Sequence, residues 1–154
     1  MVLIYLKIFT KKKNLLKKEL SKNPLTKKQV LNKLKRLKNI NLIKGDTKLS
    51  LPKFIKSIKD IDFVFIDGGH SFKTIKNDWR NVSKILKESS VVVFDDYYEF
   101  NNKKKLKIGC NDIINALSKQ KYISLKYKIG DTFFDRYNKI YKKIFMVSVK
   151  KNVS

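Results

Sequence analysis

Between Ile61 and Tyr98 the chain reads IDFVFIDGGHSFKTIKNDWRNVSKILKESSVVVFDDYY, two short apolar runs that each end in aspartate and are joined by a stretch with helical spacing. The runs FVFI and VVVF are rich in β-branched and aromatic residues, the composition of strands buried in a sheet. Between them Phe72, Ile75, Trp79, Val82 and Ile85 recur every three or four residues and line one face of a helix from about Ser71 to Lys87. Trp79 lies on that stripe and reads as core packing rather than a stacking platform. Strand, helix and strand in this order make a βαβ unit, whose two strands run parallel. Ligands bind at the carboxyl ends of such strands, so Asp67, Asp95 and Asp96 stand at a rim suited to a cation, a ribose or a polar substrate.

The flanking segments extend the same pattern. Residues 2–9 read as a short buried strand, followed by a lysine-rich, helical stretch carrying Leu15, Leu16 and Leu20. Pro24 interrupts the chain, and Thr26 with Gln29 three residues on makes a capping-box start for a helix to about Lys38, with Val30, Leu31, Leu34 and Leu37 on one face. A strand Ile40–Lys44 ends in Gly45-Asp46-Thr47, and Leu51-Pro52 opens a short helix with Phe54, Ile55 and Ile58. A turn falls at Gly68-Gly69, a strand at Val91–Phe94, a polar loop at 97–108 and a helix near Asn111–Lys119. Alternation in Tyr122–Ile129 and Ile140–Val149, joined by a loop containing Gly130, Asp131 and Phe133-Phe134, predicts an antiparallel strand pair at one edge of the sheet. The fold class is α/β, a Rossmann-like, mainly parallel sheet with flanking helices, in one domain over residues 1–154.

With 154 residues, the chain has the length of one domain. No apolar run is long enough to span a bilayer, and MVLIYLKIF has neither a basic region before it nor a cleavage-type sequence after it. Cys110 is the single cysteine, which excludes an internal disulfide and agrees with a cytoplasmic protein. The formal charge of +24 points toward polyanions, yet only Arg36, Arg80 and Arg136 are arginine, the side chain suited to bidentate phosphate and base recognition. The lysines are spread along the chain, so a solvated lysine surface with only nonspecific attraction to nucleic acid follows.

Of 13 acids, four (Asp46, Asp67, Asp95 and Asp96) directly follow apolar runs and belong at one rim. Three carboxylates converging on a point repel one another unless a cation neutralises them, and oxygen-only ligation suits Mg²⁺ or Mn²⁺. The competing reading has Asp67 and Asp95 capping the helices that follow or bonding loop amides. His70, the only histidine, sits beside Gly68 and Gly69 and has the intrinsic pKa of a general base, although a lone loop histidine also serves as a capping group. Cys110 has no second histidine with which to form a nucleophile pair and reads as a small, partly buried residue.

The segments NINLIKGDT (39–47), IDFVFIDGGHS (61–71), NDW (77–79) and VVVFDDYY (91–98), with the terminal strand pair, resemble class I S-adenosylmethionine-dependent methyltransferases, particularly the small-molecule and sugar O-methyltransferases related to macrocin O-methyltransferase. The resemblance implies that Gly45, Asp46, Thr47, Asp67 and Gly68 border the cofactor, S-adenosylmethionine, with Asp46 and Thr47 by its adenine. It implies that Asp67, Asp95 and Asp96 hold a divalent metal beside His70, the candidate base. Family members begin with a strand and a glycine-rich turn, whereas no glycine precedes Gly45 here. MVLIYLKIFT aligns with the family's second strand, so the chain looks like a methyltransferase lacking its first strand, with either a gap or a re-paired sheet and weakened cofactor affinity as the expected consequence.

Three functions follow as expectations. The first is an O-methyltransferase-like domain acting on a small molecule or sugar. The second is a noncatalytic module that completes its sheet with another copy or a complementing chain. The third, carried by charge alone, is a basic nucleic-acid-associated protein.

Overall fold

The computed structural model describes residues 4–6, 28, 29, 32, 35, 41, 43, 45–69, 71–100, 109–120, 122–135 and 140–151. Strands β1 (Ile4–Leu6), β2 (Ile61–Ile66), β3 (Leu86–Phe100), β4 (Tyr122–Asp135) and β5 (Ile140–Lys151) form one sheet in the order β1-β2-β3-β5-β4. The first three are mutually parallel, and β5 and β4 add to β3 as an antiparallel pair. Helices α1 (Thr47–Ile55), α2 (Phe72–Val82) and α3 (Asn111–Leu117) complete an α/β fold with a mixed sheet, consistent with a partial Rossmann-like methyltransferase architecture.

β1 pairs directly with β2, with Ile4 beside Val64 and Leu6 beside Ile66. β1 thus forms the edge of the parallel part of the sheet. That part advances in one direction, β1 to β2 to β3, and right-handed crossovers in that direction put their helices on the same face. Leu51 of α1 and Ile75 and Val82 of α2 do share one core. That core is assembled rung by rung: Val64, Val92 and Val149 lie side by side, as do Ile66, Phe94 and Val147, and all six are almost wholly buried. Trp79 packs at its margin, its ring 5.6 Å from Phe94 and 5.7 Å from Tyr122, in the structural role expected of it.

Several element boundaries differ from those the sequence predicts, each for a physical reason. The helix expected to reach Lys87 ends at Val82, followed by a 3₁₀ turn over Ser83–Ile85. Ser90 then ties the chain down, accepting from the Lys87 N–H at 2.7 Å and donating to the Ile61 carbonyl, while Lys87 bridges Asp60 and Asp62. β3 therefore starts at Leu86 and runs on to Phe100, through residues expected in a loop, because β5 offers pairing partners as far as Phe100 with Lys142. β4 likewise continues past Ile129 to Asp135 after a register shift, and Gly130 supplies the left-handed backbone (φ 64°) in that stretch. α1 begins at Thr47, earlier than Leu51-Pro52 implies, because the Asp46 side chain caps it. Asn41 and Ile43, from the expected strand 40–44, are exposed and not in a strand, and the remainder of that segment lies outside the described residues. The helical stretch around Leu15–Leu20 and the apolar face of the helix 26–38 also lie outside them, although Lys28, Gln29 and Asn32 are helical.

Candidate metal centre

Parallel register aligns the acids. Ile66 of β2 pairs with Phe94 of β3, so the next residues, Asp67 just past β2 and Asp95 within β3, lie side by side where the parallel pairing ends. Neighbouring strands are about 4.8 Å apart, close enough for two carboxylates to share a cation. One oxygen from each of Asp67, Asp95 and Asp96 falls within 4.8 Å of the others. Asp96 is buried and the other two are half-buried.

Consecutive residues of a regular strand point to opposite faces, so Asp95 and Asp96 need a special backbone to converge. Between the pairs Phe94–Val147 and Tyr97–Phe145, two residues of β3 face one of β5, which is a β-bulge. Asp96 occupies it with φ 62°, and among the described residues it is the only non-glycine with positive φ. Aspartate tolerates this left-handed conformation better than most side chains. The extra residue also restores the core, since Phe94 and Tyr97, three positions apart, both belong to it.

The corner is closely fastened. Asp96 N–H donates to Asp95 Oδ1 at 2.8 Å, and the Tyr98 hydroxyl donates to Asp96 Oδ1 at 2.6 Å. Cys110 N–H donates to the Asp96 carbonyl at 3.1 Å. Asn111 grips the Tyr98 backbone in both directions, accepting its N–H at 2.9 Å and donating to its carbonyl at 2.6 Å. Gly109, at φ 71°, must be glycine: a Cβ there would lie 2.0 Å from the Asp96 carbonyl oxygen and 2.7 Å from the Tyr98 ring. Burial, reinforced by the Asp96 charge, pushes the Tyr98 phenol far up and keeps it a neutral donor. The same two causes push the Cys110 thiol up to about 12, which excludes it as a thiolate nucleophile at neutral pH.

The remaining candidates divide. Of the competing reading, the capping half fails, since Ser71 caps α2 and α3 follows Cys110 without a side-chain cap, whereas Asp95 does bond a backbone amide, that of Asp96. Asp46 lies outside the carboxylate group, and its Oδ1 accepts the Lys48 N–H at 2.9 Å at the start of α1. Thr47 and Gly68 are buried, and Gly45 is exposed. His70 lies outside the described residues. Tyr98, Gly109 and Asn111 do not figure among the sequence candidates. Their only sequence signal is a glycine and an asparagine just before an apolar helical stripe.

The donor set fits a divalent cation: three carboxylate oxygens and no nitrogen or sulfur, the composition hard Mg²⁺ or Mn²⁺ prefers. Fold and acidic rim together define a class I S-adenosylmethionine-dependent methyltransferase-like protein. A methyltransferase domain family, Methyltransf_24, matches residues 10–97, more than half of the chain, and the chain belongs to it. Protein R132 of Acanthamoeba polyphaga mimivirus is 29% identical over 69 residues, which are 45% of this chain and 31% of that protein. Among solved structures, the precorrin-6y C5,15-methyltransferase of Geobacter metallireducens superposes with a TM-score of 0.50 at 16% identity, over 80% of this chain and 61% of that one. The precorrin 8w decarboxylase of Methanobacterium thermoautotrophicum superposes at 0.46 and 16% identity, over 84% of this chain and 66% of that one. At this identity the likeness is one of fold. The chain spans under a third of the mimivirus protein's length and about three fifths of the Geobacter enzyme's.

Proposed function

We propose that this domain serves S-adenosylmethionine-dependent O-methylation of a small molecule or sugar, with a divalent cation held by Asp67, Asp95 and Asp96. The observation that carries the reading is the convergence of those three carboxylates within 4.8 Å where the parallel pairing of β2 and β3 ends. A cation bound there would supply a Lewis acid that lowers the pKa of an acceptor hydroxyl. The residues around it would do the rest. His70, three positions after Asp67, would accept the hydroxyl proton. Gly45, Asp46, Thr47, Asp67 and Gly68 would border the cofactor, Gly68 by allowing close approach of the backbone. Much of the acceleration in such a site comes from orientation of the two reactants. The choice of a hydroxyl acceptor follows the likeness to macrocin-type enzymes in IDGGH and FDDY.

The test joins binding and chemistry. Calorimetry with S-adenosylmethionine and with Mn²⁺ should each give saturable binding. Asp95→Ala combined with Asp96→Ala should abolish Mn²⁺ binding and any metal-dependent methyl transfer. Metal-dependent activity unchanged in the double variant would remove the cation from the mechanism.

A second reading is favoured by a separate observation. Leu125 and Tyr127 on β4 are 58% and 55% exposed and, with Val91 and Val93, line an apolar groove on the sheet. A noncatalytic module that docks a further chain would use such a face. Sedimentation showing a monomer at all concentrations would argue against self-association through this face.

A further inference from the structure

The bulge that brings Asp95 and Asp96 together is fastened by residues that carry no carboxylate of their own. We propose that Tyr98 and Asn111 are positioning residues that set the cation affinity of the acidic rim by pinning Asp96 in its left-handed conformation. The inference rests on the cation reading above and adds to it a residue pair with no charge of its own.

An aspartate relaxes readily into an extended strand, and there it would aim its carboxylate to the sheet face opposite its neighbour's. Three contacts hold it away from that relaxation. The Tyr98 hydroxyl fixes the carboxylate itself, at 2.6 Å from Oδ1. The Cys110 N–H fixes the Asp96 carbonyl at 3.1 Å. Asn111 then imitates a neighbouring strand, satisfying both backbone groups of Tyr98 at 2.9 and 2.6 Å, so the strand beyond the bulge is held in place. Asn111 opens α3, whose Ile113, Ile114 and Leu117 are seated in the core, so the anchor of this corner is the core itself. Gly109 allows the approach, since any side chain there would strike the Asp96 carbonyl. Partners that orient metal-binding carboxylates from behind typically change affinity about 10–100-fold when removed.

The experiment measures Mn²⁺ affinity of the full chain by electron paramagnetic resonance, in wild type and in Tyr98→Phe, Asn111→Ala, Asp95→Asn and Val82→Ala. Val82 is buried at the C-terminal end of α2, the end away from the Ser71 cap that follows Asp67, and its truncation weakens the fold without removing a contact of the rim. Tyr98→Phe and Asn111→Ala should each weaken Mn²⁺ about 10–100-fold, whereas Val82→Ala keeps wild-type affinity. Wild-type affinity in Tyr98→Phe, with binding lost in Asp95→Asn, overturns the positioning role and leaves the cation reading standing. An equal loss in Val82→Ala overturns it too, by assigning the effect to general destabilisation. Should wild type show no saturable binding that Asp95→Asn removes, the cation reading falls and takes this inference with it.

Discussion

Asp78 is fully buried on α2, and its Oδ2 has no hydrogen-bond partner. Only Oδ1 receives a clear bond, from the Asn77 side-chain amide at 3.2 Å. Desolvation raises its pKa; the Thr47 and Asn77 side chains oppose the rise, and the Asp46 charge adds to it. The sign of the linkage follows. A carboxyl whose folded pKa exceeds its unfolded value near ~3.9 binds protons more tightly when folded, so it favours folding most at low pH and loses that contribution as pH rises through the folded pKa. Asp78→Asn removes this dependence. Urea melts between pH 4 and pH 8 should show the variant gaining on wild type as pH rises, by about 1–3 kcal/mol at the upper end, the cost of an unsatisfied buried polar group. A constant difference across that window would mean that Asp78 finds a charge-stabilising partner in solution.

At the scale of elements, the two faces of the sheet carry different weight. Phe94 is wholly buried between helices and strands, whereas Leu125, on the other face, is more than half exposed. Phe94→Ala should destabilise by about 3–5 kcal/mol in denaturant titrations. Leu125→Lys should change stability by no more than about 0.5 kcal/mol, and a larger loss would show that this face is covered in solution. The same contrast explains what could be read from the sequence. The apolar run of β2, the stripe of α2 and the Asp67–Asp95 juxtaposition are local patterns plus one rule, that ligand-binding residues follow the apolar runs of parallel strands, and all were legible. The extension of β3 to Phe100 depends on a partner more than 40 residues away in β5, and no local pattern announces it. The bulge was equally hidden: DDYY reads as the end of a strand, and only the pairing of Tyr97 with Phe145 reveals that Asp96 is an inserted residue. Asp46 was legible as a rim acid, but its carboxylate caps α1, a role its position before a helix allows as readily.

At the scale of the whole molecule, the acidic rim sits in the field of a chain carrying a formal charge of +24. That figure already counts every acid, including those in exposed ion pairs such as Lys126 with Glu99 and Lys87 with Asp60. Two consequences share one cause. Mutual repulsion of the lysines opposes compaction, and the same lysines repel an approaching divalent cation. Raising NaCl from about 0.01 M to about 0.15 M shortens the Debye length from about 30 Å to about 8 Å, which removes most long-range repulsion but leaves carboxylate contacts to a bound ion nearly unscreened. Stability in thermal melts should therefore rise with salt over this range. Mn²⁺ affinity, measured by titration in the same buffers, should rise or hold steady, the reverse of the weakening expected at an acidic site on an acidic protein. Affinity falling steeply with NaCl would show that the rim is electrostatically isolated from the lysine surface, and that the local charge of Asp67, Asp95 and Asp96 alone governs what binds there.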